Sequence, residues 1–149
     1  FSDVLTVFLA MDSYVELYKG GIMSLEKFAQ SKKDNDILVR IIVKKTAGKF
    51  AYQTMRNTRT DFPVIACAVS CVGGEYIASI GARPSKAVVI RDEKNILADG
   101  INKTSAEGFA QYVADNAPTQ SNLRGSAEYR THLIKVLVQR SLEQMEGQQ

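Results

Sequence analysis

Pro63-Val64-Ile65-Ala66-Cys67-Ala68-Val69-Ser70-Cys71-Val72-Gly73-Gly74-Glu75-Tyr76-Ile77-Ala78-Ser79-Ile80 is the stretch that decides the fold. Pro63 has no N–H to donate to a ladder, so a strand begins just after it and runs from Val64 to Val72. Gly73-Gly74 is the signal of a two-residue hairpin turn. Tyr76 to Ile80 reads as the return strand, Gly81-Ala82-Arg83-Pro84 as a further turn, and Lys86 to Ile90 as a third strand. The centre of the chain is therefore an antiparallel meander.

Upstream of it, Ser2-Asp3 can cap a short helix through Leu5, Phe8 and Leu9, and Tyr14 to Tyr18 alternates like a strand that Gly20-Gly21 ends. Ser24 is the natural cap of another short helix, with Lys27 where a full capping box would place Glu. Ile37 to Val43 is β-branched and apolar and is expected to be a well-buried strand. Phe50-Ala51-Tyr52 begins a partner strand. Downstream the pattern turns helical. Ser105 to Ala114 forms a helix capped by Thr104 or Ser105, Ala117 to Asn122 a loop, and Ala127 to about Met145 the longest helix, capped by Ser126. Leu133, Ile134, Leu137, Val138, Leu142 and Met145 make its apolar face, with Arg130, Lys135 and Arg140 nearer water. The tail Glu146 to Gln149 is expected to fray. Strands followed by helices predict an α+β fold: a three- to four-stranded antiparallel sheet packed on one face by C-terminal helices.

The 149 residues suffice for one core without disulfides or metals. No apolar run is long enough to span a bilayer, and no secretory pattern is present. The formal charge of +3 is too weak to argue for nucleic acid, and Lys44, Lys45 and Lys49 read as a solvated strand end. Cys67 and Cys71 share a strand face about 13 Å apart, too far for a disulfide. Free thiols in a reducing cytoplasm are the expectation. His132 is the sole histidine, so zinc and iron–sulfur sites have no support. His132 itself reads as a surface residue, and Asp34 and Asp36 as solvated loop charges. There is no Rossmann or P-loop glycine pattern and no nucleophile elbow. The chain opens at Phe1 within a predicted helix, which leads us to expect a processed chain or an excised piece of a longer one. Physics alone stops at an α+β domain without a self-contained active site.

Four segments carry a resemblance. Phe1-Ser2-Asp3-Val4-Leu5 through Val15-Glu16-Leu17, Met23 to Phe28 through Asp36-Ile37-Leu38, Arg56 to Ala68 with Thr60-Asp61-Phe62-Pro63, and Gly125-Ser126-Ala127-Glu128-Tyr129-Arg130 with its apolar helix occur in this order. Together they resemble the C-terminal part of the FAD-binding (medium) subunit of molybdenum hydroxylases, the xanthine dehydrogenase and carbon monoxide dehydrogenase flavoprotein family. Thr6 stands where that family commonly has proline. The resemblance implies that residues 1–30 end the FAD-binding domain and its connector, and that 31–149 form the flavoprotein C-terminal domain. It implies a redox subunit passing electrons from [2Fe-2S] clusters through FAD to an acceptor such as NAD. The molybdopterin-binding large subunit, the [2Fe-2S] small subunit and the N-terminal FAD-binding half would be partners. The phosphate-binding glycine loops lie in that half and are absent from this sequence. By position, Asp3, Leu38 and Gln53 are the flavin contacts. Asp3 reads equally well as a helix cap and Leu38 as a core residue. Gln53 replaces a Lys found in some relatives, and so lacks the positive charge that favours a reduced, anionic flavin. A docking domain for the partner subunits, using the apolar face of the last helix, is the alternative, and an unrelated small-ligand domain a third reading.

Overall fold

The hairpin forms as its sequence dictates. A computed structural model describes residues 3–32 and 35–147, so the expected roles of Ser2 and Asp34, and the end of the tail, lie outside the described residues. Strand β5 (Ile65–Val72) turns through Gly73 and Gly74, at φ +60° and +87°, into β6 (Glu75–Gly81). Both turn residues need the left-handed region that glycine enters without steric cost. With β4 (Lys49–Met55) on one side and β7 (Val88–Arg91) on the other, the sheet has the order β4-β5-β6-β7, antiparallel throughout. This is the expected meander.

The remaining elements are α1 (Asp3–Ala10), β1 (Tyr14–Leu17), β2 (Gly21–Ser24), α2 (Leu25–Gln30), β3 (Leu38–Ile42), α3 (Lys103–Asn116) and α4 (Ala127–Glu146). The C-terminal helices α3 and α4 cover one face of the four-stranded sheet, as expected for this α+β arrangement. Ile65, Cys67 and Val69 of β5 and Ala78 and Ile80 of β6 meet Phe109, Val113, Ile134, Val138 and Leu142 there in one core. Ser126 caps α4, its Oγ accepting from the Tyr129 amide at 3.1 Å. The cap of α3 is Asn102, one turn earlier than Ser105. Ser105 is instead the reciprocal partner of the capping box, donating and accepting across Asn102. The Ser105 hydroxyl accepts from the Asn102 amide, supplying the acceptor that Glu or Gln gives in the usual capping box.

The other sheet face is not open. Helix α1 lies on it, over Ala66, Ala68, Ser79 and Gly81, all small. The Ser70 hydroxyl donates to the Ala10 carbonyl at 2.6 Å. A Cβ added to Gly81 would sit 2.1 Å from Thr6 Oγ1, so the helix rests almost on the backbone. Small residues on that face let a helix approach and leave β5 buried on both sides.

Four expectations change. The strand from Leu38 to Ile42 is mostly exposed, not well buried, and it joins β1 in a separate three-stranded sheet of order β2-β1-β3. Strand β2 follows the Gly20-Gly21 turn that was expected only to end β1. The partner of Phe50-Ala51-Tyr52 is β5, through Ser70, Val69 and Ala68. Arg130 is buried inside, not near water, at 1% exposure. Its charge disguised its role, because helical periodicity puts a residue near the core without saying what its head group meets.

Gly81→Ala should lower unfolding free energy by about 1–3 kcal/mol through overpacking against Thr6. Adding Thr6→Ala, which removes the Oγ1 that a Cβ at position 81 would meet, should recover most of that loss. Urea unfolding of both variants checks this.

Candidate functional site

The tight seat of α1 on Gly81 fixes where the helix begins, and there Asp3 meets strand β4. Its carboxylate accepts from the Arg56 guanidinium at 2.9 Å and from the Tyr52 hydroxyl at 3.2 Å. Arg56 also donates to the Asp61 carbonyl at 2.6 Å, holding the turn that precedes β5. Asp3 and Arg56 are each partly open to solvent. Burial, then the negative charge of Asp3, push the Tyr52 phenol up to about 12. The hydrogen bond to Asp3 raises Arg56 above the ordinary arginine value. The cluster therefore offers a neutral phenol, a guanidinium and a carboxylate at one helix start. Such a set holds hydroxyls and anions in place. No group of three or more metal-ligating side chains occurs among the described residues.

The other two sequence-predicted contacts lie elsewhere. Leu38 opens β3 and is 45% exposed, on an edge strand whose Val39 and Ile41 are exposed as well. Leu38 and Ile41 pair with Leu17 and Val15, both buried, so the covered face of the small sheet continues outward into an uncovered apolar rim. Gln53 points to the opposite side of β4 from Tyr52 and donates through its side-chain amide to Gln144 of α4 at 2.8 Å. No hydrogen bond or ion pair joins any two of Asp3, Leu38 and Gln53 among the described residues. Tyr52 and Arg56 were missed as partners of Asp3. Strand alternation was the available signal: it sets Tyr52 and Thr54 on the face away from Gln53, and Arg56 follows two residues on.

Residues 50–145, from β4 through α4, match the family of CO dehydrogenase flavoprotein C-terminal domains. The chain belongs to that family. As a flavoprotein C-terminal domain it meets the resemblance read from its four segments. It is 30% identical to the uncharacterized protein YgfM of Escherichia coli strain K12 over 141 residues, 92% of this chain and 51% of that protein. Its fold is that of a chain in the crystal structure of quinoline 2-oxidoreductase from Pseudomonas putida 86, with a TM-score of 0.80 at 16% identity, covering 97% of this chain and 55% of that one. A chain of the carbon monoxide dehydrogenase of Hydrogenophaga pseudoflava matches at a TM-score of 0.77 and 18% identity, covering 97% and 55%. The chain thus spans about half the length of the relatives it matches.

In spectrophotometric titration, Tyr52 should ionise near 12 and Tyr52→Phe should remove that step. Asp3→Asn should shift the step downward while leaving it above an ordinary tyrosine, because burial is the larger cause.

Proposed function

We propose that this chain is the C-terminal part of the FAD subunit of a molybdenum hydroxylase of the xanthine dehydrogenase and carbon monoxide dehydrogenase kind. The parent protein carries electrons from [2Fe-2S] clusters on a small subunit through FAD to an acceptor such as NAD. Substrate is oxidised at molybdopterin on a large subunit, and the assembly works in the cytoplasm, where Cys67 and Cys71 stay free thiols. FAD supplies the exchange between one- and two-electron chemistry.

The observation that carries this reading is the uncovered apolar rim of β3. Leu38, Val39 and Ile41 stand exposed on one edge strand, and a patch of that kind marks a surface that something else covers. The flavin edge and the N-terminal half of the same subunit are the proposed cover. Asp3 is the polar anchor, oriented by Arg56 and Tyr52, with its carboxylate free to accept from a cofactor hydroxyl or ring N–H. Gln53, held by Gln144, acts by fixing β4 against α4. The docking role is assigned to β3 and not to the last helix. The apolar face of α4 is spent on the domain's own core, with Ile134, Val138, Leu142 and Met145 wholly buried.

Flavin content and FAD affinity of the purified protein that carries this chain test the proposal. Leu38→Asp should weaken FAD binding at least about tenfold, about 1.4 kcal/mol, and Asp3→Asn by a smaller factor. Circular dichroism should stay that of the wild type, since both side chains are partly exposed. Wild-type FAD affinity in both variants would defeat the proposal.

A further inference from the structure

Arg130 stands apart from the other ionised side chains. It is 1% exposed, in the first turn of α4. Its Nε donates to the Val64 carbonyl at 3.0 Å, and its two Nη atoms donate to the Gln120 carbonyl at 3.1 Å and the Asn122 side-chain oxygen at 2.7 Å. All three acceptors are neutral. A guanidinium carries five N–H donors, so two have no acceptor among the described residues. Among the described residues no carboxylate lies within ion-pair distance of it. A buried charge without a counter-charge is costly. Burial and the like charge of Arg124 both hold Arg130 below the ordinary arginine value.

Arg130 lines a cleft of about 590 Å³ between the turn before β5, the loop after β6 and the loop before α4. That volume falls within the range of small-molecule sites, roughly 300–1,000 Å³. Phe62 and Pro84 supply apolar wall, and Lys86 and Arg124 are exposed cations on the same lining. Arg124 lies 5.5 Å from the Phe62 ring centre and 3.4 Å from Asp61. Arg83, in the same loop but off the cleft lining, donates to the carbonyls of Lys86 and Pro118. Four cations thus gather here, and among the described residues Asp61 is the one carboxylate within ion-pair distance of any of them.

We propose that this cleft binds a small organic anion, its carboxylate or phosphate group against Arg130 and its apolar body against Phe62 and Pro84. Lys86 and Arg124 guide and clamp the anion from the solvent side. The site stands independently of the flavin reading, because none of Asp3, Leu38 and Gln53 lines it. A neutral ligand would leave the spare donors of Arg130 poorly matched. A large polyanion such as nucleic acid would need a cationic surface wider than this half-open lining.

Calorimetric titration of the purified protein with phenyl phosphate, benzoate and inorganic phosphate, at fixed ionic strength, tests the proposal. Phenyl phosphate or benzoate should bind once per chain, and the tighter of the two identifies the anion. Inorganic phosphate should bind at least tenfold more weakly than phenyl phosphate, because it lacks the apolar body. In the double variant Lys86→Gln, Arg124→Gln, both exposed and outside the core, the preferred probe should lose at least tenfold in affinity. A melting-temperature rise with that probe should be present in the wild type and absent in the double variant. Absence of saturable binding by either aromatic probe, or unchanged binding in the double variant, would overturn the proposal.

Discussion

Strand β5 has no solvated face through most of its length. Ile65, Cys67 and Val69 are pressed against α3 and α4, while Ala66, Ala68 and Ser70 lie under α1. Everything else in the molecule is arranged around that double burial. One side demands bulk and receives it from Phe109, Ile134 and Leu142. The other demands smallness, so that a helix can lie close, and receives it from alanine, serine and Gly81. Cys67 shows how dry the strand is: burial pushes its thiol up to about 12, against the small opposing effect of Ser141. A thiol in that state is a packing group and not a nucleophile.

The seat of α1 carries the fold into the functional surface. Because Thr6 fits against Gly81 and the Ala10 carbonyl takes the Ser70 hydroxyl, the start of α1 is held at the edge of β4. Asp3 then meets Tyr52 and Arg56, and Arg56 in turn grips the turn that leads back into β5. On the far end of the same turn, Arg130 draws Val64, Gln120 and Asn122 together. Two arginines therefore bracket the entry to the central strand. One is ion-paired and partly open, the other buried and, among the described residues, without an ion-pair partner. The ion-paired one belongs to the family's flavin surface as proposed, the other to a cleft of its own.

Much of the fold was legible in the sequence because local chemistry agreed with global packing. The Gly73-Gly74 turn, the start after Pro63 and the Ser126 cap each have one physical solution, and the chain adopts it. The failures share a cause. Ile37 to Val43 carries the residues of a buried strand, yet it lies on an exposed edge, since composition reports what a strand can tolerate and not what happens to cover it. Arg130 carries a charge and so read as wet, yet its long side chain reaches neutral carbonyls that only the tertiary fold assembles. Of the candidate site, Asp3 was legible as a helix start with a possible second role. Its partners Tyr52 and Arg56 were hidden by a separation of some fifty residues. Gln53 came from the family resemblance by position, and strand alternation turns it to the helix side.

The central claim is that the apolar rim of β3 is the surface on which flavin and the rest of the subunit close. Hydrogen exchange at the amides of residues 38–42, measured in the purified protein that carries this chain with FAD bound and after its removal, addresses that claim most directly. The account predicts that FAD slows exchange in β3 and at the start of α1, while β5, already sealed on both faces, stays unchanged. Equal exchange of β3 in both states would contradict it.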